Sequence, residues 1–127
     1  ERDFLSFTEK DKPDLICLAG FMKILSPNFI NRYKNKILNI HPSLLPKYKG
    51  LRTHERAIAS KEKITGCTVH VVNEHLDDGP ILGQSIVSIA KGETVSSLKE
   101  KVLRKEHILY SEALRRYLEG KNEYFTV

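Results

Sequence analysis

Residues 14–19, Asp-Leu-Ile-Cys-Leu-Ala, form an unbroken apolar run straight after Lys12-Pro13. Such a run predicts a strand covered on both faces, as in a parallel sheet flanked by helices. A second short run, Ile37 to Ile40, follows a helix whose start is written in Ser26-Pro27. Serine is a good helix N-cap, and proline suits the first helical position. That helix is expected to reach about Asn35. Thr53 to Ser60 reads as a short helix. Gly66 to Asn73 alternates and is rich in β-branched residues, so it reads as a strand, as does Leu82 to Ala90. The "DDGP" at 77–80 predicts a loop between them rather than a two-residue hairpin. Thr94 to Glu119 is the longest helical pattern, with Thr94 as N-cap and Gly120 as the stop. The order predicts one α/β domain over residues 1–127, with a partly parallel central sheet.

Composition narrows the function classes. The 127 residues are 40% hydrophobic and carry a net charge of +5, enough apolar content for a core. The basic residues are scattered, without a run of five, which argues against a nucleic-acid-binding arm. Trp is absent, which weakens a base-stacking surface. No apolar stretch approaches the ~20 residues needed to span a bilayer. Cys17 and Cys67 sit in strand-like runs and read as buried thiols, weakly favouring a reducing compartment. No metal-ligand spacing, Gly-rich phosphate loop or G-x-S-x-G elbow is present.

The chemistry-bearing residues are few. Asn39 and His41 are two apart in an extended run, so their side chains point the same way. Pro42 holds His41 extended. An amide and an imidazolium are both donors, and two converging donors can stabilise an oxyanion. A capped turn and a satisfied interior histidine are the alternative. Asp77 follows the next strand, and a carboxylate near His41 would hold the imidazole charged and orient it. A polar turn made by Asp77 and Asp78 is the other reading. Glu106 interrupts the stripe Val95, Leu98, Val102, Leu109, Ala113, Tyr117 on the long helix. A carboxylate there needs a partner or a polar ligand, unless it turns to solvent beside Arg104 or Lys105. His70 reads as a packed or network histidine. His54 and His107 read as surface or helix-end residues, and His75 carries little signal.

Four segments then stand in one order: "LAGFMKILSP" at 18–27, "NIHPSLLPKYKG" at 39–50, "GCTVHVVNEHLDDGPIL" at 66–82 and "EHILY" at 106–110. Together they resemble the folate-dependent formyltransferases, and within them the phosphoribosylglycinamide formyltransferases. The resemblance runs from about Lys12 to Leu118. It implies a Rossmann-like fold. It implies catalytic roles for Asn39, His41 and Asp77, and a folate pocket lined by Met22, Lys23, Ile24 and Leu25. Asn39 and the loop Asn73, Glu74, His75, Leu76 and Asp77 would complete that pocket, and Glu106 would contact the ribonucleotide. The co-substrate implied is 10-formyltetrahydrofolate, with no metal. The amine of glycinamide ribonucleotide would attack the formyl carbon directly, and negative charge would grow on the formyl oxygen. The expected partners are these two small molecules, without nucleic acid or membrane. A homodimer is admitted, and the setting implied is cytoplasmic.

The sequence also departs from the family pattern. Asp78 stands where many relatives have Gly, Lys23 where Arg is common, and Arg52 where His is frequent. The family's first strand and its phosphate-binding loop find no counterpart before Glu1, so an N-terminal portion of the domain is expected to be missing and turnover by these 127 residues to be low. Competing readings are methionyl-tRNA formyltransferase, formyltetrahydrofolate hydrolase, or a basic α/β module binding RNA or a protein partner. "KYKGLRTH" lacks the Arg-Trp-Arg-Gly-Ala of the first, and "HPSL" differs from the His-His-Ser-Phe of the second.

Overall fold

The computed structural model describes residues 15–19 and 25–127. Strand β1 (Ile16–Ala19) pairs parallel with β2 (Ile37–His41), placing Ile16 beside Ile37 and Leu18 beside Asn39. A parallel pair needs a crossover connection, and helix α1 (Pro27–Arg32) lies within it. Ser26 caps α1 as expected, its hydroxyl accepting from the Phe29 N–H at 3.2 Å. The helix stops at Arg32, three residues before the expected end. Asn35 adopts a left-handed backbone, φ 62°, which Asn tolerates better than most residues. The chain thereby turns straight into β2.

Strand β3 (Ile64–Val71) lies antiparallel between β2 and β4 (Ile81–Ser88). Helix α2 (Thr53–Ala59) precedes it. A short β5 (Phe125–Thr126) closes the described sheet parallel to β4, giving the order β1-β2-β3-β4-β5. The sheet is thus partly parallel, as expected. The sequence reading missed β5, a two-residue strand too short for periodicity to mark. Its place is set by packing: Phe125 lies over Gly83, where a Cβ would come within 2.6 Å of the ring.

Strand alternation divides the core between the two sheet faces. Ile16, Leu18 and Ile37 pack with Leu25, Phe29, Ile30 and Tyr33 under α1. Leu38, Ile40, Cys67, Val69 and Val71 pack under α3 (Val95–Leu118), against Leu98, Val102, Leu109 and Ala113. Asn39 and His41 therefore face the α1 side. One expectation fails on β1: Ile16 and Leu18 are buried, but Cys17 and Ala19 are exposed. β1 is the edge strand of the described sheet, so its α3-side face is covered less fully than that of β2. Cys67 is buried as expected, and burial pushes its thiol up to about 12.

Thr94 caps α3 by accepting from the Ser97 N–H at 3.0 Å, and Ser97 Oγ answers by accepting from the Thr94 N–H at 3.1 Å. Thr94→Ala removes that cap and is expected to cost about 1 kcal/mol. In a thermal melt this is a fall of about 3–5 °C. An unchanged midpoint would show that the Glu93–Lys101 ion pair at 2.6 Å suffices to hold this helix end.

Candidate active site

β2 ends in His41, and the chain then returns towards its own strand end. The returning loop is held from several sides. Thr68 on β3 donates to the Ser43 carbonyl at 2.7 Å and accepts from the Leu45 N–H at 3.1 Å. Gln84 on β4 donates to the Leu45 carbonyl at 3.0 Å. Ser43 Oγ donates to the Lys47 carbonyl at 2.6 Å. Arg56 stacks over the Tyr48 ring at 5.4 Å, and the Tyr48 hydroxyl donates to Glu62 at 3.2 Å. The result is a fixed Tyr48 carbonyl that accepts from His41 Nε2 at 2.8 Å.

The loop between β3 and β4 approaches from the other side. Gly79 sits so close to β3 that a Cβ would fall 1.6 Å from the Val71 carbonyl oxygen. The Val71 N–H donates to the Pro80 carbonyl at 2.8 Å. Asp77 adopts φ 52°, a left-handed conformation that aspartate tolerates better than bulky residues. It turns a fully buried carboxylate inward. Asp77 Oδ2 accepts from the Gly50 N–H at 2.9 Å and lies 3.5 Å from His41 Nδ1. The latter is an ion-pair distance rather than a hydrogen bond. The two ring nitrogens of His41 thus face a carbonyl and a carboxylate, both acceptors.

His70 completes the cluster, lying directly opposite Asn39 across the β2–β3 ladder. Its Nδ1 donates to the Val71 carbonyl at 3.3 Å, leaving Nε2 to accept from Asn39 Nδ2 at 3.3 Å. Burial pushes the His70 pKa down, the nearby Asp77 charge only partly offsetting it, so the ring is neutral and can accept. This fixes the Asn39 amide. One N–H is spent on His70, and Oδ1 is buried with no hydrogen-bond partner among the described residues.

The trio Asn39, His41 and Asp77 is thus brought together. Other expected site residues stand differently. Met22, Lys23 and Ile24 lie outside the described residues. Leu25 is a core residue packed with Phe29 under α1. Asn73 accepts from the His75 N–H at 2.9 Å, stabilising its own turn. Glu74 and His75 are exposed and 3.8 Å apart, and Leu76 is half-buried. Glu106 is half-buried in the α3 stripe between Val102 and Leu109, and burial pushes its carboxyl up. α3 packs on the face of β2 opposite Asn39 and His41, so Glu106 stands across the sheet from the trio. Asp78 does not add an unpaired charge: Lys49 Nζ lies 2.6 Å from it. His54 lies half-buried in the first turn of α2, a helix-end position as expected. His70 was legible only as a network residue, because the register that sets it opposite Asn39 is a tertiary fact.

Among the described residues no helix is long and apolar enough to cross a membrane, and no group of three His, Cys, Asp or Glu side chains could hold a metal ion. A family model described as formyl transferase matches residues 1–114. The chain belongs to the formyl transferase family. Within it, the chain is 38% identical over 121 residues to the phosphoribosylglycinamide formyltransferase of Escherichia coli K12, covering 95% of this chain and 57% of that one. It is 47% identical over 107 residues to the human trifunctional purine biosynthetic protein adenosine-3, covering 84% of this chain and 11% of that one. The crystal structure of phosphoribosylglycinamide formyltransferase from Anaplasma phagocytophilum matches with a TM-score of 0.89 and 40% identity. The match covers 94% of this chain and 59% of that one. This formyl transferase chain therefore spans between half and two thirds of these two phosphoribosylglycinamide formyltransferases, and about a tenth of the trifunctional protein.

Proposed function

We propose that this chain carries the formyl-transfer centre of a phosphoribosylglycinamide formyltransferase, acting on 10-formyltetrahydrofolate and glycinamide ribonucleotide in the cytoplasm. The observation that supports this most is Asn39 Oδ1, without a hydrogen-bond partner among the described residues, inside a buried cluster with His41, His70 and Asp77. A buried acceptor without a partner costs about 1–3 kcal/mol. Such a site suits a ligand that brings a donor, and an attacking amine brings N–H groups. The folate co-substrate supplies the activated formyl group.

The side chains divide the work. Asn39 has a second amide N–H, which donates to the formyl oxygen as negative charge develops there. A donor so used contributes about 3–4 kcal/mol to the transition state. The His41 imidazolium adds positive charge beside that oxygen. Its Nε2–H rests on the Tyr48 carbonyl, so direct donation from that nitrogen follows only when this contact is exchanged. Asp77 keeps the imidazolium charged and relays the proton lost by the amine towards the departing folate nitrogen. No protein nucleophile is required, because the amine attacks directly. Holding amine and formyl group together supplies the remainder.

The test is a single-turnover assay with protein in excess, so that slow transfer still registers. The expected result is loss of the formyl group from the folate only when glycinamide ribonucleotide is present, with N-formyl product in equal amount. Formate release without the ribonucleotide, or formyl transfer to methionyl-tRNA instead, would overturn the assignment in favour of another family activity.

A further inference from the structure

We propose that Lys49 and Asp78 form a clasp that positions Asp77 beside His41; this rests on the role of Asp77 in formyl transfer proposed for the site. Two contacts run side by side between the two loops. Lys49 Nζ lies 2.6 Å from Asp78 Oδ1, and the Gly50 N–H donates to Asp77 Oδ2 at 2.9 Å. Residues 49 and 50 thus meet 78 and 77 in reverse order. The first contact fixes where the 77–78 segment lies, and the second fixes which way the Asp77 carboxylate points.

The anchor side is firm. Arg56 on α2 donates to the Lys49 carbonyl at 2.6 Å, and the neighbouring Tyr48 carbonyl holds His41 Nε2. The far side needs an anchor, because Asp77 holds a φ of 52°, a left-handed conformation uncommon for a residue other than glycine. The Lys49 and Asp78 side chains are 39% and 53% exposed, so the pair is screened by water and adds little to global stability. Its leverage is local: it weights the loop towards the conformation in which Asp77 faces the imidazole. Lys49 and Asp78 touch no reacting atom, and both are positioning residues.

Charge exchange in the intact chain tests this. Lys49→Glu and Asp78→Lys each set like charges face to face. Each is expected to lower kcat for formyl transfer about two- to fivefold with KM changed less, and to speed hydrogen exchange at the Gly50 amide by a similar factor. Lys49→Glu combined with Asp78→Lys is expected to restore both within about twofold, with all three variants melting within about 2 °C of the parent. Unaltered Gly50 exchange in the single variants, or a combined variant that restores neither quantity, would overturn the clasp. Gly50 exchange is read without substrate. A chain that shows the exchange pattern but never transfers formyl therefore supports the clasp and contradicts the formyl-transfer reading.

Discussion

Asp77→Asn is expected to lower kcat for formyl transfer by about 10²–10³-fold, the range seen when a preorganised electrostatic group is removed from an acyl-transfer site. Asparagine keeps the size and one oxygen for the Gly50 N–H, so loop geometry changes little. What disappears is the negative charge 3.5 Å from His41 Nδ1. On the proposed mechanism this removes the charge that supports His41 and the acceptor for the amine proton. Folate affinity is expected to stay within about threefold, because the Asp77 charge acts chiefly on charge that develops during the reaction. Stopped-flow single turnover and a fluorescence titration with folate separate the two quantities. A mutant that transfers formyl at the parent rate would remove Asp77 from the mechanism. A mutant whose loss lay wholly in folate binding would reassign it to the pocket wall.

Gly79→Ala is expected to act on the same residue through the backbone. A Cβ at position 79 would lie 1.6 Å from the Val71 carbonyl oxygen and 2.8 Å from its carbon. Both are strand backbone, which cannot swing aside like a side-chain end. The loop must lift away from β3, disturbing the Pro80 carbonyl that accepts from the Val71 N–H and carrying Asp77 with it. Forcing atoms into a packed site costs about 1–3 kcal/mol, a thermal shift of several degrees for a chain this size. The activity loss is expected to approach that of Asp77→Asn, with faster exchange at the Gly50 amide as the structural sign. An alanine variant with parent melting temperature and parent turnover would mean that the loop takes up the methyl group without moving Asp77.

Much of this was readable from local patterns. Apolar runs, β-branched alternation and caps mark β1 to β4 and the three helices, because each rests on near-neighbour chemistry. Ser26 and Thr94 cap where their hydroxyls predict. The two-residue spacing of Asn39 and His41 was enough to put both on one face. What was not legible depends on distant pairings. Only register sets His70 opposite Asn39. Only the fold of the loop after β2 delivers the Tyr48 carbonyl to His41. The exposure of Cys17 follows from β1 standing at the described sheet's edge, which its own hydrophobicity does not reveal. The Lys49–Asp78 contact joins two loops 29 positions apart in the chain, which no local pattern marks. Glu106 stands out within its stripe on local pattern alone, but the face it serves is fixed by α3 packing.

Side-chain NMR of Asn39 and His41 during titration with a non-reactive formyl-folate analogue tests the central claim most directly. The Asn39 amide protons and the His41 ring signals are expected to shift together as the analogue saturates, and the Asn39 response is expected to be lost in His70→Ala while the analogue still binds. Saturation that leaves both Asn39 and His41 unmoved would mean that the formyl group is held elsewhere, and the buried cluster would not be the transfer centre.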